Sequence, residues 1–134
     1  MIHNASEVEI PSLQGILEEQ FGALIQDNPY IFYIKYEDVE IKGIVSYSLI
    51  YDRMEINYIW VKERYRKKGI GGALLKYIDQ IAINKRVNNI SLEVECTNLA
   101  AIGLYRKNGY QIVAKREKYY QGRDGFLMVK EMIR

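Results

Sequence analysis

The chain has 134 residues, 49% apolar and 27% charged, the proportions of a globular protein with one core and one domain over residues 1–134. A formal net charge of +2 gives no argument for a nucleic-acid partner. One cysteine excludes an intrachain disulfide and points to a reducing cytoplasm, and one histidine leaves no metal-ligand set. Met1–Ser6 lacks the basic start and apolar run of a secretion signal, and no stretch is long enough to span a membrane.

Glu7–Gln26 carries Leu13, Ile16, Leu17, Phe21, Leu24 and Ile25 at nearly helical spacing. Pro11, Gly15 and Gly22 interrupt it, which predicts one broken helix or two short ones, ended by Asn28-Pro29 because a residue before proline avoids helical dihedrals. The residues before Glu7 leave room for almost no first strand. Tyr30–Tyr36, Val39–Tyr51 and Met54–Val61, rich in Ile, Val and Tyr and divided by Glu37-Asp38 and Asp52-Arg53, predict an antiparallel meander.

Arg64-Tyr65-Arg66-Lys67-Lys68-Gly69-Ile70-Gly71-Gly72-Ala73-Leu74-Leu75 follows and opens a helix over Gly71–Lys85, with an apolar stripe of Leu74, Leu75, Ile78, Ile81 and Ala82. A helix N-terminus has unpaired N–H groups and partial positive charge, which together bind phosphate. Glycines let the backbone approach a ligand, and the basic run from Lys62 to Lys68 suits a compact polyanion. Arg66, Lys67, Lys68, Gly69, Ile70, Gly71 and Gly72 therefore predict a pyrophosphate cradle; a charged loop with a glycine-assisted turn is the plain alternative. A P-loop is excluded by Ala73 and Leu74 after Gly72, and a dinucleotide fingerprint by Leu74 where its third glycine belongs.

Ile90–Glu95 alternates, with Leu92 and Val94 on one face and Ser91, Glu93 and Glu95 on the other, a polar face suited to a cleft. Thr97 or Asn98 caps a helix over Leu99–Lys107, and Asn108-Gly109 closes it. Asn98, Ala101 and Tyr105 share one stripe, so Glu93 and Tyr105 are expected to point into the same space; Leu99, Ile102 and Leu104 face packing partners. Tyr110–Lys115 and Phe126–Met132 are the last strands, joined by a polar loop through Tyr119-Tyr120-Gln121-Gly122. The expected class is α+β, a mixed sheet with helices on its faces.

Arg66-x-x-Gly69-x-Gly71, directly after the strand Met54–Val61, resembles the acetyl-CoA loop of the GCN5-related N-acetyltransferase (GNAT) superfamily. Leu92-Glu93-Val94, Asn98, Ala100-Ala101-Ile102, Leu104-Tyr105 and Asn108-Gly109-Tyr110 are similar to a block of the bacterial ribosomal-protein-alanine N-acetyltransferases in that superfamily. With Tyr119-Tyr120, the similarity runs from Met54 to Met128. It implies the acyl-CoA N-acyltransferase fold, a mostly antiparallel mixed sheet flanked by helices. It implies acetyl-CoA as co-substrate and direct transfer, in a ternary complex, to a primary amine such as the N-terminal alanine of a ribosomal protein. Glu93 would be the general base and Tyr105 the general acid. The backbone of Ile59, Trp60 and Val61 would pair with pantetheine, Arg66–Gly71 would hold pyrophosphate, and Asn98 would contact CoA with Ala101 and Tyr105 on its stripe.

The chemistry suits these residue types, since a neutral amine attacking a thioester needs a carboxylate to take its proton and a phenol can protonate the departing sulfur. Glu95 on the same face and Glu55 on the preceding strand are alternative bases, and Asn98 can be simply a helix cap. Cys96 reads as a small buried hydrophobe. Tyr119 and Tyr120 either pack a loop or border the acceptor groove. The chain departs from the family in its short N-terminal region and in Arg123-Asp124-Gly125, where an acidic pair followed by alanine is usual. Both regions line the acceptor side, so a small amine (polyamine, aminoglycoside or amino acid) in a closed acid-lined pocket competes with a protein N-terminus in an open groove. A silent CoA-binding regulatory module is the third reading. The chain is expected to act as a monomer or homodimer.

Overall fold

The computed structural model describes residues 1–22, 25, 28–120 and 122–132, with 118–120 as backbone only. Among them the elements are β1 (Ile2–Asn4), α1 (Ile10–Phe21), β2 (Ile31–Glu37), β3 (Ile41–Ile50), β4 (Arg53–Val61), a 3-10 turn at Glu63–Tyr65, α2 (Ile70–Asn84), β5 (Asn89–Glu95), α3 (Leu99–Lys107), β6 (Gln111–Tyr120) and β7 (Arg123–Glu131). The strands form one sheet in the order β1-β2-β3-β4-β5-β7-β6, antiparallel except for the β4–β5 pair. This is the mixed, mostly antiparallel sheet that the sequence predicts.

Helices cover both faces. Leu13 and Leu17 of α1 pack with Tyr33, Ile44 and Trp60 on one face. Leu74, Leu75, Ile78 and Ala82 of α2 pack with Ile102 and Tyr105 of α3 and with Ile34, Val45, Met54, Ile56, Leu92, Val94 and Met128 on the other. A buried apolar side chain of this size contributes roughly 1.5–3 kcal/mol, so these two clusters carry most of the fold's driving force.

Five expectations are corrected. Among the described residues the N-terminal region forms one unbroken helix over Ile10–Phe21: Pro11 falls in its first turn, where a missing N–H costs nothing. It ends at Gly22, before Asn28-Pro29, because Gly22 takes a left-handed φ of 66° and donates its N–H to Glu18 O at 2.8 Å. A first strand exists despite the short leader, since Ile2–Asn4 pairs with Ile34–Tyr36. The last two strands reach further than predicted: Tyr120 pairs with Arg123, so the polar stretch around Gly122 (φ 83°) is a tight hairpin turn and not a loop. Leu99, expected to pack, is exposed.

Of the register irregularities among the described residues, two bear on the faces of β4 and β6. In β4, Asn57 lies between Ile56, opposite Tyr47, and Tyr58, opposite Ser46, and has no partner in the register. Met54 and Ile56 before it join the α2 face, and Tyr58 and Trp60 after it join the α1 face. In β6, Val113 is skipped between Ile112, opposite Met128, and Ala114, opposite Leu127. Because strand side chains alternate with a period of two, each extra residue turns the rest of the strand over.

Candidate active site

The parallel β4–β5 ladder runs only from Arg53↔Asn89 to Ile56↔Leu92. Beyond it Tyr58–Val61 pair with β3 alone and Glu93–Glu95 with β7 alone. The sheet therefore opens between Ile59–Val61 and Glu93–Glu95, and backbone groups on the inner edge of β4 are left for a ligand to pair with.

The segment between β4 and α2 leads from this opening to a helix N-terminus. Lys67 (φ 62°) and Gly69 (φ 85°) both take the left-handed conformation, which folds the backbone into a tight turn ahead of Ile70. The bond from Ala73 N–H to Gly69 O, 3.0 Å, closes the first turn, so the amides of Ile70, Gly71 and Gly72 have no helical partner. A Cβ at Gly72 would meet nothing within 4 Å, so this position is open to a ligand. Gly71 has a different reason: a Cβ there would come within 2.9 Å of Leu104, so its lack of a side chain seats α2 against α3.

The basic cluster divides in two. Lys62 (2.5 Å), Arg64 and the Tyr65 hydroxyl (2.6 Å) all bind the Glu40 carboxylate, which they hold down at about 2. These two cations are thus engaged with protein, contrary to the reading of the whole run as a polyanion site. Arg66 donates its Nε–H to Val61 O at 2.8 Å, which ties the turn to the end of β4. Lys67 and Lys68 are exposed and, among the described residues, form no ion pair, so they remain for an anion.

Glu93 directly follows Leu92, the last residue of β5 that pairs with β4. Its Oε1 lies 3.2 Å from Arg116 Nη1, and its Oε2 is buried with no hydrogen-bond partner. Burial pushes its carboxyl up from the ordinary value, Arg116 pulls it down and Glu55 pushes it up. Glu95 differs although it shares the face: Arg123 at 2.9 Å and Thr97 at 2.8 Å both bind its Oε1 and lower its pKa. Glu55 is exposed, on the adjoining row opposite Ser91.

Tyr105 is buried and packs edge-on to Tyr110 with ring centroids 6.0 Å apart. It belongs to the cluster that contains Leu92 and Val94, whereas Glu93 alternates to the opposite face of β5. The expectation that the two share one space is therefore corrected: they lie on opposite faces of the sheet. Asn98 caps α3 through its side chain, which accepts from Ala101 N–H at 3.2 Å. Ala101 is half-buried against the α2 face, Trp60 is buried under α1, and Cys96 is half-buried. The side chains of Tyr119 and Tyr120 lie outside the described residues. Arg116 and Glu40 went unread in the sequence. Arg116 could not have been placed, because the Val113 bulge decides its face.

Solved acetyltransferases share this fold. The ribosomal-protein-S18-alanine N-acetyltransferase of Escherichia coli superposes with a TM-score of 0.86 at 21% identity, over 100% of this chain and 94% of its own. Arabidopsis thaliana Naa50, solved in complex with the bisubstrate analogue CoA-Ac-MVNAL, superposes at 0.85 and 21% identity, over 98% of each chain. These show the fold. In sequence, a Bacillus subtilis (strain 168) protein, provisionally named a ribosomal protein bS18-alanine N-acetyltransferase, is 31% identical over 131 residues, 95% of this chain and 87% of its own. Residues 3–110 match the acetyltransferase (GNAT) family. The chain belongs to that family, whose members are acetyl-CoA-using N-acetyltransferases.

Proposed function

We propose that this single-domain chain acetylates the N-terminal alanine of a ribosomal protein in the cytoplasm, by direct transfer from acetyl-CoA within a ternary complex. The observation that carries the reading is the parting of β4 from β5 after Ile56 and Leu92, with the unpartnered Oε2 of Glu93 at its edge. The described residues fit the co-substrate. First-turn amides of Ile70–Gly72, with Lys67 and Lys68, suit the pyrophosphate; the free edge of Ile59–Val61 suits the pantetheine amides; Asn98 and Ala101 stand across the gap.

In this reading Glu93 Oε2 accepts the proton of the attacking amine, directly or through water, and its raised pKa brings it closer to the operating pH. Tyr105 approaches from the other face and gives its hydroxyl proton to the departing sulfur. A β4 amide beside the gap supplies a donor for the developing oxyanion. An extended acceptor is favoured because α1 packs only on β2, β3 and β4; among the described residues no helix covers the Glu93 face of β5, β7 and β6.

Thiol release from acetyl-CoA tests this. A peptide with N-terminal alanine should exceed polyamine, aminoglycoside and amino-acid acceptors at least tenfold in kcat/KM, and Tyr105→Phe should lose turnover while binding acetyl-CoA normally. A small amine as the best acceptor would overturn the acceptor assignment. Absence of thiol release with every amine would leave the CoA-binding module.

A further inference from the structure

We propose that Arg116 is a positioning residue for Glu93: it engages one carboxylate oxygen and leaves the other, without a hydrogen-bond partner, to take the acceptor's proton. The proposal rests on the reading of Glu93 as the base.

The geometry is specific. On the face that carries Glu93, one row across the sheet is Glu93, Leu127 and Ala114, and the next is Glu95, Gly125 and Arg116. Arg116 is thus two strands from β5, about 9–10 Å at ordinary strand spacing. Its route crosses β7 at Gly125, which has no side chain to block it. In its own row it would meet Glu95, but Arg123 and Thr97 already bind that carboxylate. The guanidinium instead takes the diagonal to Glu93 Oε1 at 3.2 Å. Oε2 stays buried and unpartnered.

The Val113 bulge makes this possible. Ile112 packs on the α2 face with Met128; with unbroken alternation residues 114 and 116 would follow it there. The extra residue turns Ala114 and Arg116 to the Glu93 face, a re-aiming that bulges commonly achieve. Gly125 and Arg123 play complementary parts here. Together they clear the path and keep Glu95 occupied.

A held carboxylate is a better base than a rotating one, because the proton-accepting oxygen is aligned before the amine arrives. Among the described residues the charged groups facing Glu93 are Glu55 from β4, Glu95 from β5, Arg123 from β7 and Arg116 from β6; Lys115 and Asp124 pair with each other at 3.3 Å on the hairpin. Of these, Arg116 is the one that opposes Glu93's protonation, as Glu55 favours it.

The experiment compares wild type, Arg116→Met, Arg116→Lys and Glu93→Gln, with acetyl-CoA and an alanine-terminated peptide. Arg116→Met should move the rising limb of the kcat–pH profile upward by about half a unit or more and lower its plateau about tenfold, with acetyl-CoA affinity unchanged. The 13C titration of the Glu93 carboxyl in the resting enzyme should move the same way, and Arg116→Lys should restore part of both. Unmoved limb and titration in Arg116→Met would overturn the positioning role, while Glu93→Gln remains inactive. Wild-type turnover in Glu93→Gln would instead overturn the base reading beneath it.

Discussion

Glu93 carries a carboxyl whose charged form burial opposes, and its neighbours set how strongly. Its carboxyl titrates above the ordinary value in the folded chain, so the folded state holds the proton more tightly than the unfolded one. The sign follows directly: the group makes the fold less stable as pH rises from about the free carboxyl value through the raised one, and that penalty is complete above it. Glu93→Gln should therefore melt at the same temperature as wild type or slightly higher at pH 7, with no difference at acid pH. Its turnover should fall about 10²–10⁴-fold, and the rise of rate with pH should vanish. Thermal melts and pH–rate profiles check both arms, and retained turnover would move the base to Glu95 or Glu55.

Among the elements, α2 is the one whose placement matters most, since its first turn faces the gap. Two glycines seat it. At Gly43 in β3 a Cβ would stand 3.1 Å from Leu74, 3.2 Å from Ile70 and 3.2 Å from Trp60 O, so the helix start lies directly on the strand. At Gly71 a Cβ would reach 2.9 Å from Leu104. Gly71→Val should cost about 1–3 kcal/mol by overpacking. Adding Leu104→Ala should destabilise less than the two single changes summed, a coupling that a double-mutant cycle in urea would measure. Gly72→Ala, facing open space, should stay within about 0.5 kcal/mol of wild type.

For the molecule as a whole, two depressed carboxylates tie the β1–β3 side together. Glu9, just before α1, binds the buried Lys35 and is held at about 2; Glu40 gathers Lys62, Tyr65 and Arg64 and is also held at about 2. A lowered folded value means stability present above the free value of 4.5 and lost as pH falls through about 2. The Glu9→Gln, Glu40→Gln double variant should show a lower Tm near neutrality and a flatter decline between pH 4.5 and pH 2. Equal slopes in both proteins would show that these pairs are too solvated to matter.

Much of this molecule follows from local rules. The buried and polar sides of β5 appear in the alternation of Ile90–Glu95, α3 starts at the cap Asn98, and the α2 stripe of Leu74, Leu75, Ile78 and Ala82 is buried as its spacing requires, with Ile81 half-buried at its edge. These depend only on residues within a few positions of one another, so the chain's own order determined them. The tertiary structure alone decided how far β4 and β5 stay paired, where Asn57 and Val113 bulge out, that Glu93 and Tyr105 take opposite faces, and that Lys62 and Arg64 go to Glu40. Each of these depends on the register of a partner strand or on a charge more than 20 residues away. A one-residue slip reverses every side chain after it, and nothing in the neighbouring sequence records the slip.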